Sequence, residues 1–316
     1  MEYLILLLAL AGIVFGADTL VAGSVAVARR YRVSDFVIGA AIVGIGTSMP
    51  ELTVSFLGAL QGNAEVAIGN VVGSNIFNVL GILGITAIFF PIAVTRENRR
   101  FEIPFCIGVS VLLTALVFLS GSPTISRPDG IILLLAFAGF MWYSFYRDRK
   151  NNQSQSAAEL ESEAKLTPLW LSILKIIGGL TLLIISCDMF VDDAVKIARK
   201  LGLNDAFISI TLIACGTSLP ELAASVAAAF KKNTQLALGN IVGSNIFNIC
   251  LILGLSAQVT PLTSASITPV DYIVMIGAAV VPLLFGMKGK IGRIGGVLML
   301  GSFIAYTWYL LTIQLV

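Results

Sequence analysis

The 316-residue chain contains no histidine. That absence removes histidine-based catalysis and imidazole metal sites from consideration. Cysteine is scarce too: Cys106, Cys187, Cys215 and Cys250 all fall in apolar segments and lack metal-ligand spacing, so they read as small core residues. Charge is the third shortage. Charged residues make up 12% of the chain and hydrophobic ones 57%, whereas a soluble domain carries roughly 25% charged residues. The solvent implied for much of the surface is lipid.

Long apolar runs are abundant. Charges divide them into ten segments, at about 3–28, 34–60, 65–92, 101–121, 128–147, 168–195, 204–230, 235–262, 269–287 and 291–315. A helix crossing the hydrocarbon needs roughly 20 mostly apolar residues, so each segment is a predicted span. The first has Glu2 ahead of it and no basic flank, which reads as a span and not a cleaved leader. The predicted fold is an all-α polytopic membrane protein.

The chain repeats itself. Residues 46–84 align with 216–254 without a gap, and 22 of the 39 positions are identical. The offset of 170 also pairs Asp18 with Asp188, Arg29 with Arg199 and Asp35 with Asp205. Two five-helix repeats follow, 1–147 and 168–316, joined by a polar linker at 148–167. An odd number of spans per repeat turns the second upside down relative to the first, an arrangement typical of secondary transporters. Basic residues orient the whole: with the N-terminus outside, fifteen of the twenty Lys and Arg fall in inner loops or the linker. By the positive-inside rule both termini are then extracellular and the linker cytoplasmic.

Each repeat carries two polar motifs inside apolar helices. The first is GTSMPEL at 46–52 and GTSLPEL at 216–222; the second is GNVVGSNIFN at 69–78 and GNIVGSNIFN at 239–248. On a helix, Thr47, Ser48 and Glu51 share one face. Pro50 cannot donate to the carbonyl of Gly46, which loosens that turn, and freed carbonyls are tolerated in lipid only inside protein or beside a wet cavity. Ser74 and Asn78 add a hydroxyl and an amide oxygen. The second repeat supplies Thr217, Ser218, Glu221, Ser244 and Asn248. All these groups offer oxygen, the ligand of hard cations such as calcium. A midplane glutamate costs about 2.5 kcal/mol or more, which marks it as functional by default. Two of them neutralise one Ca²⁺ or two Na⁺; a third Na⁺ would leave one unit of charge to move with the voltage. Asn70, Asn75, Asn240 and Asn245 are expected to bond backbone or neighbouring helices. Asp18, Asp188, Asp35 and Asp205 are expected to serve as caps or interfacial solvating groups.

At these motifs the sequence resembles the sodium/calcium exchanger branch of the cation/calcium antiporter superfamily, whose two alpha-repeats match about 41–84 and 211–254. The resemblance covers the whole chain. It implies Glu51 and Glu221 as central ligands shared by calcium and sodium. Thr47, Ser48, Thr217, Ser218, Ser74 and Ser244 would complete the sites, with Asn78 and Asn248 in the central layer. The backbone carbonyls of Gly44 and Ala214 would serve flanking sodium sites. Potassium-dependent relatives have Asp at the position of Asn248, so Asn there implies potassium-independent exchange. The long calcium-sensing loop of animal exchangers is absent. The implied activity is electrogenic exchange of sodium for calcium across the cell membrane by alternating access, with no cofactor.

A proton/calcium antiporter of the same superfamily is the alternative, since two buried carboxylates can also carry protons. The full hydroxyl and amide shell, which a proton does not need, favours sodium. An enzyme is not expected, because there is no histidine and no Ser–Lys pair near the motifs. The partners implied are sodium, calcium and the lipid bilayer, with no nucleic acid and no protein partner.

Overall fold

The computed structural model describes residues 2–119, 123–153, 167–200, 214–263 and 267–314. Its helices, in chain order, are α1 (Glu2–Tyr31), α2 (Asp35–Thr47), α3 (Met49–Leu60), α4 (Ala64–Phe89), α5 (Asn98–Phe118) and α6 (Arg127–Gln153). The second half continues with α7 (Leu169–Lys200), α8 (Leu219–Phe230), α9 (Thr234–Val259), α10 (Pro269–Phe285) and α11 (Arg293–Gln314). Among the described residues eight helices are long and apolar enough to cross a membrane, or nine with α2 and α3 taken as one bent span. The molecule is thus a helical polytopic membrane protein. The segment expected at 204–230 is described only from Ala214 onward. Helix α6 runs on to Gln153, into the stretch read as linker.

Hydropathy alone does not sort the inner helices from the outer ones. Helices α4 and α9 are the most enclosed, with 83% and 94% of their spanning windows buried, against 22% for α6 and α7 and 17% for α11. The two inner helices carry GNVVGSNIFN and GNIVGSNIFN, whose amides and hydroxyls have no partner in hydrocarbon and must find one in protein. The outer helices present Leu7, Phe15, Trp142, Trp170 and Trp308, side chains suited to acyl chains. Within the inner pair the helices widen into π-turns, at Phe77–Leu83 and Asn248–Ile252. A third π-turn, Gly39–Gly44, lies inside α2. Such insertions free backbone groups and concentrate at functional sites.

Small residues bring the main helix pairs together, as is usual in membranes. Along the α1–α7 seam, a Cβ on Gly16 would stand 2.8 Å from the Leu183 amide, and one on Gly179 2.5 Å from that of Leu20. The π-turn of α2 presses equally hard on α9: a Cβ on Gly44 would meet the Asn240 carbonyl at 3.1 Å, and one on Gly239 would collide with the Phe36 carbonyl. The four cysteines remain free and lie within the packed interior, Cys215 only half-buried.

Two short antiparallel ladders tie the halves together. Strand β1 (Ile92–Ala93) pairs with β4 (Lys290–Ile291), and β2 (Thr124–Ile125) with β3 (Leu262–Thr263). Each ladder takes one strand from each half.

Asp18 departs from expectation. It lies in the body of α1, far from either end, and its Oδ1 receives the Lys231 ammonium at 2.7 Å. The partner is supplied by the turn that follows α8, more than 200 residues away, so nothing local in the sequence distinguishes this acid from a capping one. Asp188 likewise lies within α7. Asp35 does open its helix, behind the N-cap Ser34; Asp205 falls outside the described residues.

Candidate cation site

Pro50 and Pro220 occupy the first turns of α3 and α8, where a missing N–H is harmless. What they impose is a break just before them. Ser48 has φ −83° and ψ 11°, and Ser218 has φ −93° and ψ 9°, outside the helical well in both cases. At Ser48 the α2–α3 span bends by 49°. The break redirects the serine hydroxyls. Spacing alone puts Ser48 on the face of its own Glu51, yet Ser48 Oγ donates to Glu221 Oε1 at 2.7 Å and Ser218 Oγ donates to Glu51 Oε1 at 2.8 Å. The two halves exchange hydroxyls. Both glutamates are fully buried, and each takes a hydroxyl from the opposite half.

Behind the glutamates a second reciprocal layer holds the backbone. Asn70 Nδ2 donates to the Glu51 carbonyl at 3.2 Å and to Ser55 Oγ at 2.9 Å; Asn240 Nδ2 does the same to the Glu221 carbonyl at 3.2 Å and to Ser225 Oγ at 2.8 Å. Sequence reasoning passed over Ser55 and Ser225. The signal was available, since each follows its glutamate by four residues in both repeats.

A third layer sets the amides. Asn75 and Asn245 each donate to the other's carbonyl, at 3.2 and 3.1 Å. Their side-chain oxygens accept from the outer pair: Asn78 Nδ2 to Asn245 Oδ1 at 3.0 Å, and Asn248 Nδ2 to Asn75 Oδ1 at 3.2 Å. Because an amide whose nitrogen is bound must turn its oxygen elsewhere, this quartet fixes which atom Asn78 and Asn248 present.

What remains is a set of acceptors. Glu51 Oε2, Glu221 Oε2, Asn78 Oδ1, Asn248 Oδ1, Ser74 Oγ and Thr217 Oγ1 are all buried oxygens without a hydrogen-bond partner. Orphaned buried polar atoms are rare in folded proteins and need a reason. An oxygen-only set that includes two carboxylates is one that a hard cation satisfies. Among the described residues no three Asp, Glu, Cys or His side chains converge on one point. The charge of the set therefore rests on the two glutamates, and neutral oxygens do the rest.

Thr47 and Ser244 differ from their images. Thr47 Oγ1 lies 3.0 Å from the Val43 carbonyl and 3.3 Å from Asn240 Oδ1. Ser244 Oγ donates to the Gly44 carbonyl at 3.2 Å, which also accepts from the Ser48 amide at 3.1 Å. Gly44 is thus brought to the rim of the layer. Ala214 begins the short helical turn Ala214–Gly216 that leads to Thr217.

Helical spans around a buried, oxygen-lined site with two uncompensated carboxylates define a membrane carrier of cations. The relatives say which. The sodium/calcium exchanger protein family matches residues 1–146 and 171–312, and the chain belongs to that family. It is 38% identical to the putative antiporter CaxA of Alkalimonas amylolytica, over 94% of this chain and 95% of that protein. To the sodium/calcium exchanger MaX1 of Methanosarcina acetivorans it is 32% identical, over 96% of this chain and 97% of the other. The solved structure of the sodium-calcium exchanger NCX_Mj soaked with zero Na⁺ and Ca²⁺ superposes with a TM-score of 0.83, at 32% identity and 98% coverage of both chains.

Proposed function

We propose that this protein exchanges sodium for calcium by alternating access, electrogenically and without potassium. The observation that carries the reading is the layer of unpartnered oxygens from both halves around Glu51 and Glu221. In this reading Glu51, Glu221, Asn78 and Asn248 form the centre, and Thr47, Ser48, Thr217, Ser218, Ser74 and Ser244 complete it. The carbonyls of Gly44 and Ala214 flank it for sodium.

The mechanism follows from charge. Two carboxylates balance one Ca²⁺ or two Na⁺, so the ions compete for the same oxygens. With neither bound, two buried charges face each other in a low-dielectric layer, which opposes reorientation of the unloaded carrier and couples the fluxes. A third Na⁺, held by the flanking carbonyls, makes each cycle move net charge. Reciprocal bonding across the offset of 170 residues supports inverted repeats of 1–147 and 168–316, and the bias of basic residues to the inner loops supports both termini outside and 148–167 cytoplasmic. Helices α1 and α7, packed on each other through glycines, are the pair that would slide to open either face. Asn at 248 leaves out the extra carboxylate associated with potassium co-transport.

The test is calcium uptake into sodium-loaded liposomes containing the purified chain. Uptake that requires internal sodium, ignores external potassium and builds a membrane potential is the expected result. Uptake driven only by a pH gradient would assign the chain to proton coupling and leave the hydroxyl shell without a purpose.

A further inference from the structure

The two strand ladders are images in topology but not in charge. Strands β1 and β3 stand 170 residues apart, and each pairs with the strand that precedes the last helix of the other half. Around the β2–β3 ladder, the connections 119–127 and 260–268 hold one basic residue, Arg127, which donates to the Val259 carbonyl at 3.4 Å. Around the β1–β4 ladder, the connections 90–100 and 286–293 hold six: Arg96, Arg99, Arg100, Lys288, Lys290 and Arg293. Pairing of Ala93 with Lys290, and a bond from the Val94 amide to the Gly289 carbonyl at 2.8 Å, hold these two connections side by side. Arg99 completes the clamp, donating to the Met287 carbonyl at 2.6 Å and to that of Thr95 at 3.3 Å. The other five basic residues are exposed and, among the described residues, have no ion pair. The single acid of these connections, Glu97, lies 3.6 Å from Arg147. Next to the basic residues in the chain, Phe89, Leu284, Met287 and Ile294 are exposed as well.

We propose that this rim binds an anionic phospholipid, its headgroup held by Arg96, Arg100, Lys288 and Lys290 and its acyl chains resting on Leu284, Met287 and Ile294. The ladder does not need the charge, because β2–β3 makes the same pairing without it. The basic residues therefore serve whatever lies against this face. Exposed cations beside exposed apolar side chains call for an anion and hydrocarbon together, and an anionic phospholipid supplies both in one molecule. A loose excess of basic residues is enough to orient a chain in the bilayer. Here the cations sit on two connections pinned by a ladder and by Arg99, which gives a single headgroup fixed partners. A lipid so held would brace the turn between α4 and α5 against the turn between α10 and α11, one from each half. The binding does not depend on which ions the carrier moves.

The experiment uses the full chain in detergent micelles doped with phosphatidylglycerol, and bound lipid is counted by native mass spectrometry. The chain should hold phosphatidylglycerol about tenfold or more tightly than phosphatidylcholine. Lys288→Gln combined with Lys290→Gln should lower that affinity about twentyfold, at about fivefold for each surface cation removed. Arg149→Gln combined with Lys150→Gln takes the same charge from the exposed end of α6 and should leave the affinity unchanged. Equal loss in the two double variants would reduce the rim to a diffuse positive field and overturn the site. Equal binding of the two lipids, or displacement of bound phosphatidylglycerol by excess inorganic phosphate, would overturn it too. So would binding that emerges only after Glu159→Gln, Glu161→Gln and Glu163→Gln, which would give the rim to the linker. If the Lys288 and Lys290 double variant loses the parent's gel-filtration profile, Arg96→Gln combined with Arg100→Gln decides.

Discussion

The two halves of the molecule repeat some contacts and not others. Ser48 and Ser218, Asn70 and Asn240, Asn75 and Asn245, and Asn78 and Asn248 make the same bonds in both directions. Ser244 and Thr47, in contrast, are bonded to α2 and to each other's neighbourhood, while their images Ser74 and Thr217 have no partner. The contacts that repeat belong to the layer that both halves build jointly. Among the described residues, the contacts of Ser244 and Thr47 involve the helix entering the first motif, clamped through Gly39, Gly44 and Gly239 onto α9; its counterpart before the second motif lies outside the described residues. In an alternating carrier the shared layer would persist through the cycle and the one-sided contacts would trade places.

Four measurements break or sharpen this comparison. The largest effect belongs to the glutamates: Glu51→Gln and Glu221→Gln should each lower calcium uptake about a hundredfold or more, because one charge can no longer balance a divalent ion in a buried layer. Equal losses in liposome flux are expected; a variant retaining normal uptake would remove its half from the site. Next come Asn75→Ala and Asn245→Ala. Each deletes two interlocking bonds and releases the amide of Asn248 or Asn78, costing about 2–4 kcal/mol in all. Thermal unfolding should show matched drops, and calcium-induced stabilisation should shrink in both. Ser244→Ala should then cost about 1 kcal/mol and Ser74→Ala close to nothing, since only the first is bonded. Equal costs would deny the asymmetry. An effect of similar size lies at a turn. Gly62 and Lys232 are images, both left-handed, with φ of 76° and 60°. Lys232→Gly should stabilise by about 1 kcal/mol and Gly62→Ala should cost a similar amount, read as opposite shifts of the melting temperature.

Much of this was legible in the sequence because it is local or repeated. Apolar length located the helices, and duplication singled out two glutamates among the acids. The oxygen chemistry of GTSxPEL and GSNIFN named the residues that the structure brings into one layer. The crossing was not legible: spacing assigns Ser48 to Glu51, and only the break at Ser48 sends it to Glu221. Asp18 misled for the same reason, its partner Lys231 being distant in the chain. Nor does hydropathy say that α4 and α9 are interior and α7 exterior, since all three are similarly apolar. That ordering comes from where the polar motifs can be satisfied.

The exchanged serines have a consequence for how the chain can be divided. Since each glutamate takes its hydroxyl from the opposite half, and each Asn78-type amide is aimed by an asparagine of the opposite half, neither half contains the whole of the proposed centre. Cut between Gln153 and Leu169, the polypeptide would yield two fragments, each inert alone. Co-expressed, they should complement one another in the bilayer, and two copies of the same fragment would meet with every partner duplicated in kind.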